Sequence, residues 1–330
     1  MKIAIIGATG EVGRMVLTCL SEFNITCTKL DLFASNNSAG KTILYDNNEI
    51  KVKSLSKNNL NTDYDYVFLT AGGNISKEYA KIIVDNGAIA IDNSSVFRQE
   101  DTIPLIVPEV NGHLLKNYKG IIANPNCSTI QLMLVLNPLQ KYKKINKVVV
   151  TTMQSVSGAG NKGIVELEAQ RNNCKNINVF PKPIDLNVIP QIGDFDENDN
   201  SQFKDYCYEE IKMTLEARKI LNIPDFDLVA TTVRVPVIYG HSESVYIEFN
   251  ENVDINHIIN ILSNERAVIY NDNYLTPVEI NESNCSHVAR IRYAGNKKSI
   301  LLWNLANNIR LGAATNAVKI MIEHHNPPPL

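Results

Sequence analysis

The chain has 330 residues, of which 44% are hydrophobic and 20% charged, and its formal net charge is −3. That length supports a large core and two domains, and the composition is that of a soluble globular protein. The small net charge gives no electrostatic basis for binding nucleic acid or an anionic membrane surface, and no apolar run reaches the roughly 18 residues a bilayer span needs.

Six cysteines, at 19, 27, 127, 174, 207 and 285, are scattered without CxxC spacing. This argues against zinc and against a disulfide framework, and reduced thiols in the cytoplasm are the expectation. His324-His325 has no partner ligands in the sequence and reads as a frayed helix end, so no metal is expected.

Lys2–Ile6 is apolar, β-branched and bounded by Gly7, which predicts a buried strand. It is too short for the core of a signal peptide. Gly7-Ala8-Thr9-Gly10-Glu11-Val12-Gly13 follows, and Val12, Val16, Leu17 and Leu20 then recur at helical spacing. Strand, glycine turn and helix form the context in which a glycine fingerprint points to a dinucleotide. The spacing is GxxGxxG, not GxGxxG, and a glycine turn without a ligand is the bland alternative. Thr28–Ala34 is the second predicted strand. NAD-specific sites usually place an acid near its end, for the ribose 2′-hydroxyl. Here Asp31 falls within the strand, and Ser35-Asn36-Asn37-Ser38-Ala39-Gly40-Lys41 offers hydroxyls, amides and one lysine. That leans toward a 2′-phosphate and NADP.

Strands are predicted at Tyr64–Thr70, Ala88–Ile91, Ile103–Val107 and Gly120–Ala123, with a helix at Ile75–Asn86. This alternation implies a parallel sheet with right-handed crossovers, whose ligands bind beyond the carboxyl ends of the strands. Asn124-Pro125-Asn126-Cys127-Ser128-Thr129 then leads into an apolar helical pattern, with Asn126 and Ser128 as candidate caps. Cys127 falls at or near a helix N-terminus, where the dipole favours an anion. A thiol pKa of about 8.5 drops at such positions, which yields a thiolate nucleophile. A buried, inert cysteine is the alternative.

After residue 140 the pattern changes. Lys147–Ser155 is a long β-type run ending before Ser157-Gly158-Ala159-Gly160, with a helix at about Gly163–Gln170. A proline-containing irregular region follows, then a helix at Phe203–Leu221. Asp227–Ile238 and Ser244–Phe249 alternate as antiparallel strands would, Asp254–Leu262 is helical, and Val288–Tyr293 and Ile300–Leu305 are strands. Leu311, Ala314, Val318 and Ile322 form one face of a last helix. The second half is thus expected to be an α+β domain with a mixed or antiparallel sheet.

Polar groups stand where apolar ones are expected. Gln154 ends a β run, Glu209 and Lys212 share a helix face at i, i+3, Arg234 interrupts a strand, and His241 follows in Gly240-His241-Ser242-Glu243-Ser244. Singly, each has a structural reading. Together with GATGEVG, FASNNSAGK, DNSSVFR, VPEVN, ANPNCST, QSVSGAG, EEIK, TTVRVPV and RLGAATNAV, they make the chain resemble the aspartate-β-semialdehyde dehydrogenase family over essentially its whole length.

The resemblance implies an α/β fold: an N-terminal Rossmann-type doubly wound parallel sheet and an α+β catalytic and dimerisation domain, with the C-terminal helix returning to the first domain. The implied boundaries are 1–127 with 308–330 for NADP binding, and 128–307 for catalysis and dimerisation. The family reduces L-aspartyl-4-phosphate with NADPH to L-aspartate-4-semialdehyde and inorganic phosphate, toward lysine, methionine and threonine. By resemblance Cys127 is the thioester nucleophile, His241 the acid/base and Gln154 a positioning residue. Arg234 clamps the α-carboxylate and Glu209 the α-amino group, while Arg98, Lys212 and Asn126 bind phosphate. Cofactor contacts are implied for Gly7, Thr9, Gly10, Glu11, Val12, Gly13, Ser35, Asn37, Ser38, Ser157, Gly158 and Asn316. A cytoplasmic homodimer or homotetramer is implied, without nucleic-acid or membrane partners.

One departure concerns the cofactor. The family commonly has S-x-R-S-A-G after the second strand, and Asn37 stands here in place of the arginine. NADP is the expectation, with NAD use left open. Competing readings are N-acetyl-γ-glutamyl-phosphate reductase, whose cysteine motif differs and whose acetylated substrate needs no partner such as Glu209, and glyceraldehyde-3-phosphate dehydrogenase, which has a different cysteine signature. A non-catalytic nucleotide-binding paralogue is disfavoured because Cys127 and His241 are both present, and a cysteine hydrolase because of the glycine fingerprint.

Overall fold

Both faces of strand β1 (Lys2–Ile6) are apolar, and both are buried in the computed structural model, which describes residues 1–60, 63–174 and 178–326. Ile3 and Ile5 join a core with Val16 and Leu20 of helix α1 (Glu11–Glu22) and with Val318 and Met321 of the closing helix Asn316–His325. Ala4 and Ile6 join another with Tyr79, Ala80 and Ile83 of α2 (Gly73–Asp85). Helices covering both faces explain why the strands read as continuous apolar runs.

These elements belong to the first of two compact units, Met1–Pro125 with Ala313–Leu330; the second is Asn126–Gly312. Residues 327–330, at the end of the return expected over 308–330, lie outside the described residues. Besides β1, the first unit contains β2 (Lys29–Ala34), a hairpin of β3 (Thr42–Tyr45) and β4 (Asn48–Lys51), β5 (Lys53–Ser54), β6 (Tyr66–Leu69), β7 (Ile89–Asp92) and β8 (Ile121–Ala123). Its main sheet has the order β5-β2-β1-β6-β7-β8, and every pair is parallel.

Two features of this unit differ from expectation. Ile103–Val107 is not a strand: only Leu105 bridges Ala123. The Asn111 amide takes the place of a ladder partner, accepting from Val107 N at 3.0 Å and donating to Leu105 O at 2.9 Å. Pro108 then opens the short helix α3 (Pro108–Asn111), where a proline is well tolerated. The β3–β4 hairpin was not anticipated. Its turn residues Asp46 and Asn47 both take positive φ, 44° and 64°, which suits short polar side chains in a two-residue hairpin turn.

The second unit holds α4 (Cys127–Tyr142), β9 (Ile145–Gln154), α5 (Asn161–Arg171), α6 (Tyr208–Leu221), β10 (Leu228–Arg234), β11 (His241–Phe249), α7 (Ile255–Ser263), β12 (Val268–Tyr270), β13 (Ser286–Tyr293) and β14 (Ser299–Ala306). Its mixed sheet has the order β10-β9-β11-β14-β13-β12. β10 and β11, whose alternation was read as that of antiparallel strands, do not pair with each other. β9 lies between them, parallel to β10 and antiparallel to β11. After β10 the chain crosses the end of β9, with Val235 N bonded to Gln154 O and Val156 N to Val237 O, before Gly240 turns it at φ 90°. Helix α6 starts at Tyr208, later than expected, because the Glu210 carboxylate accepts the Cys207 N–H at 2.9 Å and closes the first turn there. A π-type turn, Arg310–Thr315, precedes the regular closing helix, so the expected i, i+3, i+4 face is continuous only from Asn316.

Candidate active site

In the second unit, the strand directions bring three chain ends to one edge of the sheet. β9 ends at Gln154 and its parallel neighbour β10 ends at Arg234, which is in register with Gln154. β11 runs the other way and begins at His241. Gln154, Arg234 and His241 are all buried, at 1%, 6% and 0% exposure. Polar side chains at such depth need partners. Arg234 Nη1 donates to Ser155 O at 2.7 Å, and Gln154 Nε2 donates to Thr152 Oγ1 at 3.3 Å.

Cys127 is the first residue of α4, and Asn126 is the cap. Asn126 Oδ1 accepts from the N–H groups of Ser128 and Thr129 at 3.0 and 3.2 Å, which fixes the helix start. Ser128, the other candidate cap, lies inside the helix. Asn126 Nδ2 donates to Glu209 Oε1 at 2.7 Å, and Lys212 Nζ lies 3.3 Å from Glu209 Oε2. The Asn126 side chain thus holds Glu209 and caps the helix, leaving one Nδ2 hydrogen for a ligand. Burial pushes the Arg234 guanidinium below its ordinary pKa, while the charges of Glu209 and Cys127 oppose that shift. These groups therefore share one electrostatic neighbourhood.

His241 is held from one side. Its Nδ1 accepts the backbone N–H of Ser155 at 3.0 Å, and Ser155 Oγ lies 3.1 Å from the same atom. Asn308 Oδ1 accepts from Ser155 Oγ at 3.1 Å and from Gly240 N at 2.9 Å, which braces both chain segments around the ring. A backbone N–H can only donate, so the proton of the neutral ring resides on Nε2. Nε2 is buried without a hydrogen-bond partner among the described residues. Burial, reinforced by Arg234, lowers the His241 pKa to about 3, so the ring is neutral near pH 7. Gly158 closes over this space: a Cβ there would lie 2.7 Å from Arg234 Nη1 and 3.3 Å from His241 Nε2. Ser157, beside it, accepts from Asn308 Nδ2 at 2.9 Å.

The remaining candidates lie in the first unit. Gly7 has φ 92°, and a Cβ there would meet Thr70 Oγ1 at 2.8 Å; a Cβ on Gly13 would lie 2.3 Å from Gly7 O. These glycines let Gly7 N and Ala8 N reach Phe33 O, tying the loop to the end of β2. Helix α1 has no side-chain cap at Gly10, so no cap side chain takes its first-turn N–H groups, the donors an anion site uses. Ser35 and Asn37 are exposed beyond β2, with Ser38 half-buried. Asp31 is held by Lys53 at 2.6 Å and Tyr64 at 2.5 Å. Arg98 donates from Nε to Asn124 O at 2.9 Å and from Nη2 to Asn93 O at 3.1 Å. Asn316 is buried, with Nδ2 donating to Asn124 Oδ1 at 2.7 Å and Ile106 O at 2.9 Å, which leaves its Oδ1 as the group for any further contact. Among the described residues no group of His, Cys, Asp or Glu is placed to hold a metal, and no helix is long and apolar enough to cross a membrane.

Sequence reasoning missed several members of the site. Glu216, fully buried, accepts the Asn126 backbone N–H at 2.6 Å. It stands seven residues after Glu209, on the same helix face, which was the available signal. Ser155 and Asn308 had none, because their roles depend on contacts between distant segments. In the Glu209-Glu210 pair the first carboxylate faces Asn126, while the second holds the N–H groups of Cys207 and Thr232.

Residues 2–118 match the family model for the semialdehyde dehydrogenase NAD binding domain, and residues 136–311 match that for the semialdehyde dehydrogenase dimerisation domain. The aspartate-semialdehyde dehydrogenase of Campylobacter jejuni is 41% identical over 97% of this chain and 96% of its own length. That of Aquifex aeolicus is also 41% identical, over 97% and 96%. The crystal structure of aspartate semialdehyde dehydrogenase II complexed with ASA, from Vibrio cholerae, has a TM-score of 0.93 at 36% identity and covers 99% of both chains. With both family models matched and these relatives aligned nearly end to end, the chain belongs to the aspartate-semialdehyde dehydrogenase family.

Proposed function

We propose that this oxidoreductase converts L-aspartyl-4-phosphate and NADPH to L-aspartate-4-semialdehyde, NADP and phosphate through a thioester on Cys127. The observation that carries this reading is that Arg234 stands in the electrostatic field of Cys127 and Glu209, and His241 in that of Arg234 and Glu209, within the second unit. Arg234 suits an α-carboxylate because its planar fork binds one bidentately. Glu209 suits the α-ammonium group, and this favours a free amino acid over an N-acetylated one. Arg98, Lys212 and the remaining Asn126 N–H are assigned to the phosphate.

The Cys127 thiolate attacks the acyl carbonyl and phosphate leaves with the C–O bonding pair. When bound, a dihydronicotinamide cofactor would supply the hydride that reduces the thioester. His241 Nε2–H then donates to the oxygen that gains charge, and Cys127 leaves as thiolate when the carbonyl re-forms. Gln154 holds the substrate beside Cys127. The loop from Gly7 to Gly13 and the start of α1 fit a pyrophosphate, because the glycines admit the backbone and the helix lacks a cap. Ser35, Asn37 and Ser38 are assigned to the 2′-phosphate, and Ser157, Gly158 and Asn316 to the rest of the cofactor. A thiolate nucleophile suits the reducing cytoplasm. The dimerisation-domain match, with Val149, Val165, Leu186 and Val278 exposed in that unit, supports a homodimer.

The test is the reverse reaction, with aspartate semialdehyde and phosphate, comparing NADP with NAD. Phosphate-dependent NADPH formation, with NAD much weaker, is expected. Equal use of NAD would overturn the cofactor assignment alone. Activity only with N-acetylglutamate semialdehyde would overturn the substrate.

A further inference from the structure

Glu243 lies two residues beyond His241 in β11, fully buried, with no part in the chemistry above. The residues opposite it on the flanking strands are Thr152 and Asn304, and the α4 residue that faces its carboxyl is Gln131; none is charged. Asn304 Nδ2 donates to Glu243 Oε2 at 2.8 Å, and Asn304 Oδ1 in turn accepts from Ser286 Oγ at 2.5 Å. Gln131 Nε2 donates to the His241 carbonyl at 3.2 Å. Gln131 Oε1 and Glu243 Oε1 are then two buried acceptors with no donor among the described residues.

A single proton resolves both vacancies. We propose that Glu243 is held as a neutral carboxylic acid whose Oε1–H donates to Gln131 Oε1, completing a chain of donors from Ser286 to the His241 carbonyl. Gln131 stands one helical turn after Cys127, so the chain ties the helix presenting the nucleophile to the strand presenting His241. Burial acts in the same direction and outweighs the opposing pull of the Asn304 and Gln131 amides, raising the Glu243 pKa to about 8. Glu243 is a positioning residue: it acts through Gln131 on the His241 backbone. This assignment rests on His241 acting at the thioester, but the protonation of Glu243 does not.

The test uses the full-length enzyme. Infrared spectroscopy near neutral pH should show the carbonyl stretch of a protonated carboxylic acid in the wild type, lost in Glu243→Gln. The glutamine replaces the O–H donor with an N–H donor and keeps the acceptor for Asn304. It should hold kcat within about twofold, whereas Glu243→Leu, which severs the chain, should lower kcat by about tenfold or more with a smaller change in KM. No band assignable to Glu243 overturns the protonation, whatever the kinetics. A band together with unchanged kcat in Glu243→Leu, or equal losses in both variants, overturns the positioning role. If Glu243→Leu does not fold, the band and the Glu243→Gln kinetics still decide. Failure of the parent mechanism would show separately, as full activity in Cys127→Ala or His241→Ala.

Discussion

The backbone N–H of Ser155 points at Nδ1 of His241, 3.0 Å away. A backbone donor cannot change roles, so this contact opposes a second ring proton and makes His241 a neutral donor through Nε2. With a pKa of about 3, the ring does not titrate at ordinary assay pH. The pH profile of kcat/KM should therefore lack a limb at the usual histidine pKa of about 6.5. His241→Ala should lose about 100-fold or more in kcat, and His241→Gln, which retains an N–H, should lose less. The unfolded chain binds the extra proton between about pH 3 and 6.5, so this group costs stability as pH falls through that window. A histidine limb near 6.5 in the profile would contradict the neutral-donor role.

Arg234 donates from Nη1 to Ser155 O, and the charges of Glu209 and Cys127 act on its guanidinium. Arg234→Ala should lower kcat/KM by about 100-fold, and Arg234→Lys should recover little, because an ammonium cannot reproduce the planar fork. Steady-state kinetics on aspartate semialdehyde reads this directly. An unchanged kcat/KM would remove the carboxylate clamp.

Gly158 is packed where any side chain would enter the site, 2.7 Å from Arg234 Nη1. Its φ is not positive, so alanine brings no backbone strain there. Gly158→Ala should keep the melting temperature and lower kcat/KM by about tenfold or more, through displacement of Arg234 or His241. Loss of stability without loss of activity would contradict this.

Glu243 sets a stability dependence of the opposite sign to His241. Its carboxyl keeps its proton to about pH 8 in the fold, against an ordinary glutamate value of 4.5. Below the lower value both folded and unfolded chains are protonated and the contribution is fully present. Between the two values the unfolded chain alone gives up its proton, so stability falls by up to about 1.4 kcal/mol per pH unit. Glu243→Gln removes this dependence. Thermal melts from about pH 5 to about pH 8 should show the variant gaining on the wild type as pH rises, and parallel curves would contradict the buried acid.

Strands β1, β2, β6, β7 and β8 and helices α1 and α2 of the first unit were legible because both faces of its sheet are apolar and its turns carry glycine, whereas the β3–β4 hairpin and α3 were not. The Cys127 helix was equally legible from Asn126. Pairing in the second unit was not, because alternation in β10 and β11 reports which faces are buried but not which strand lies between them. The motifs singled out Cys127, Gln154, Glu209, Arg234 and His241 as candidates; the residues that hydrogen-bond to this group of segments, Ser155, Asn308, Glu216 and Gln131, were not legible. Those four act through hydrogen bonds between segments as far as 153 residues apart, a distance that local patterning does not encode. Asn126 shows the remaining gap: its type suggested a helix cap, which it is, but its hold on Glu209 was not legible.

The central claim is the covalent intermediate on Cys127. Mixing the enzyme with L-aspartyl-4-phosphate in the absence of NADPH, followed by acid quench and intact-mass spectrometry, tests it most directly. The wild type should release about one phosphate per chain in a burst and gain the mass of one aspartyl group, mapped to Cys127, with neither seen in Cys127→Ala. Phosphate release that requires NADPH, or an adduct on another residue, would contradict the thioester mechanism.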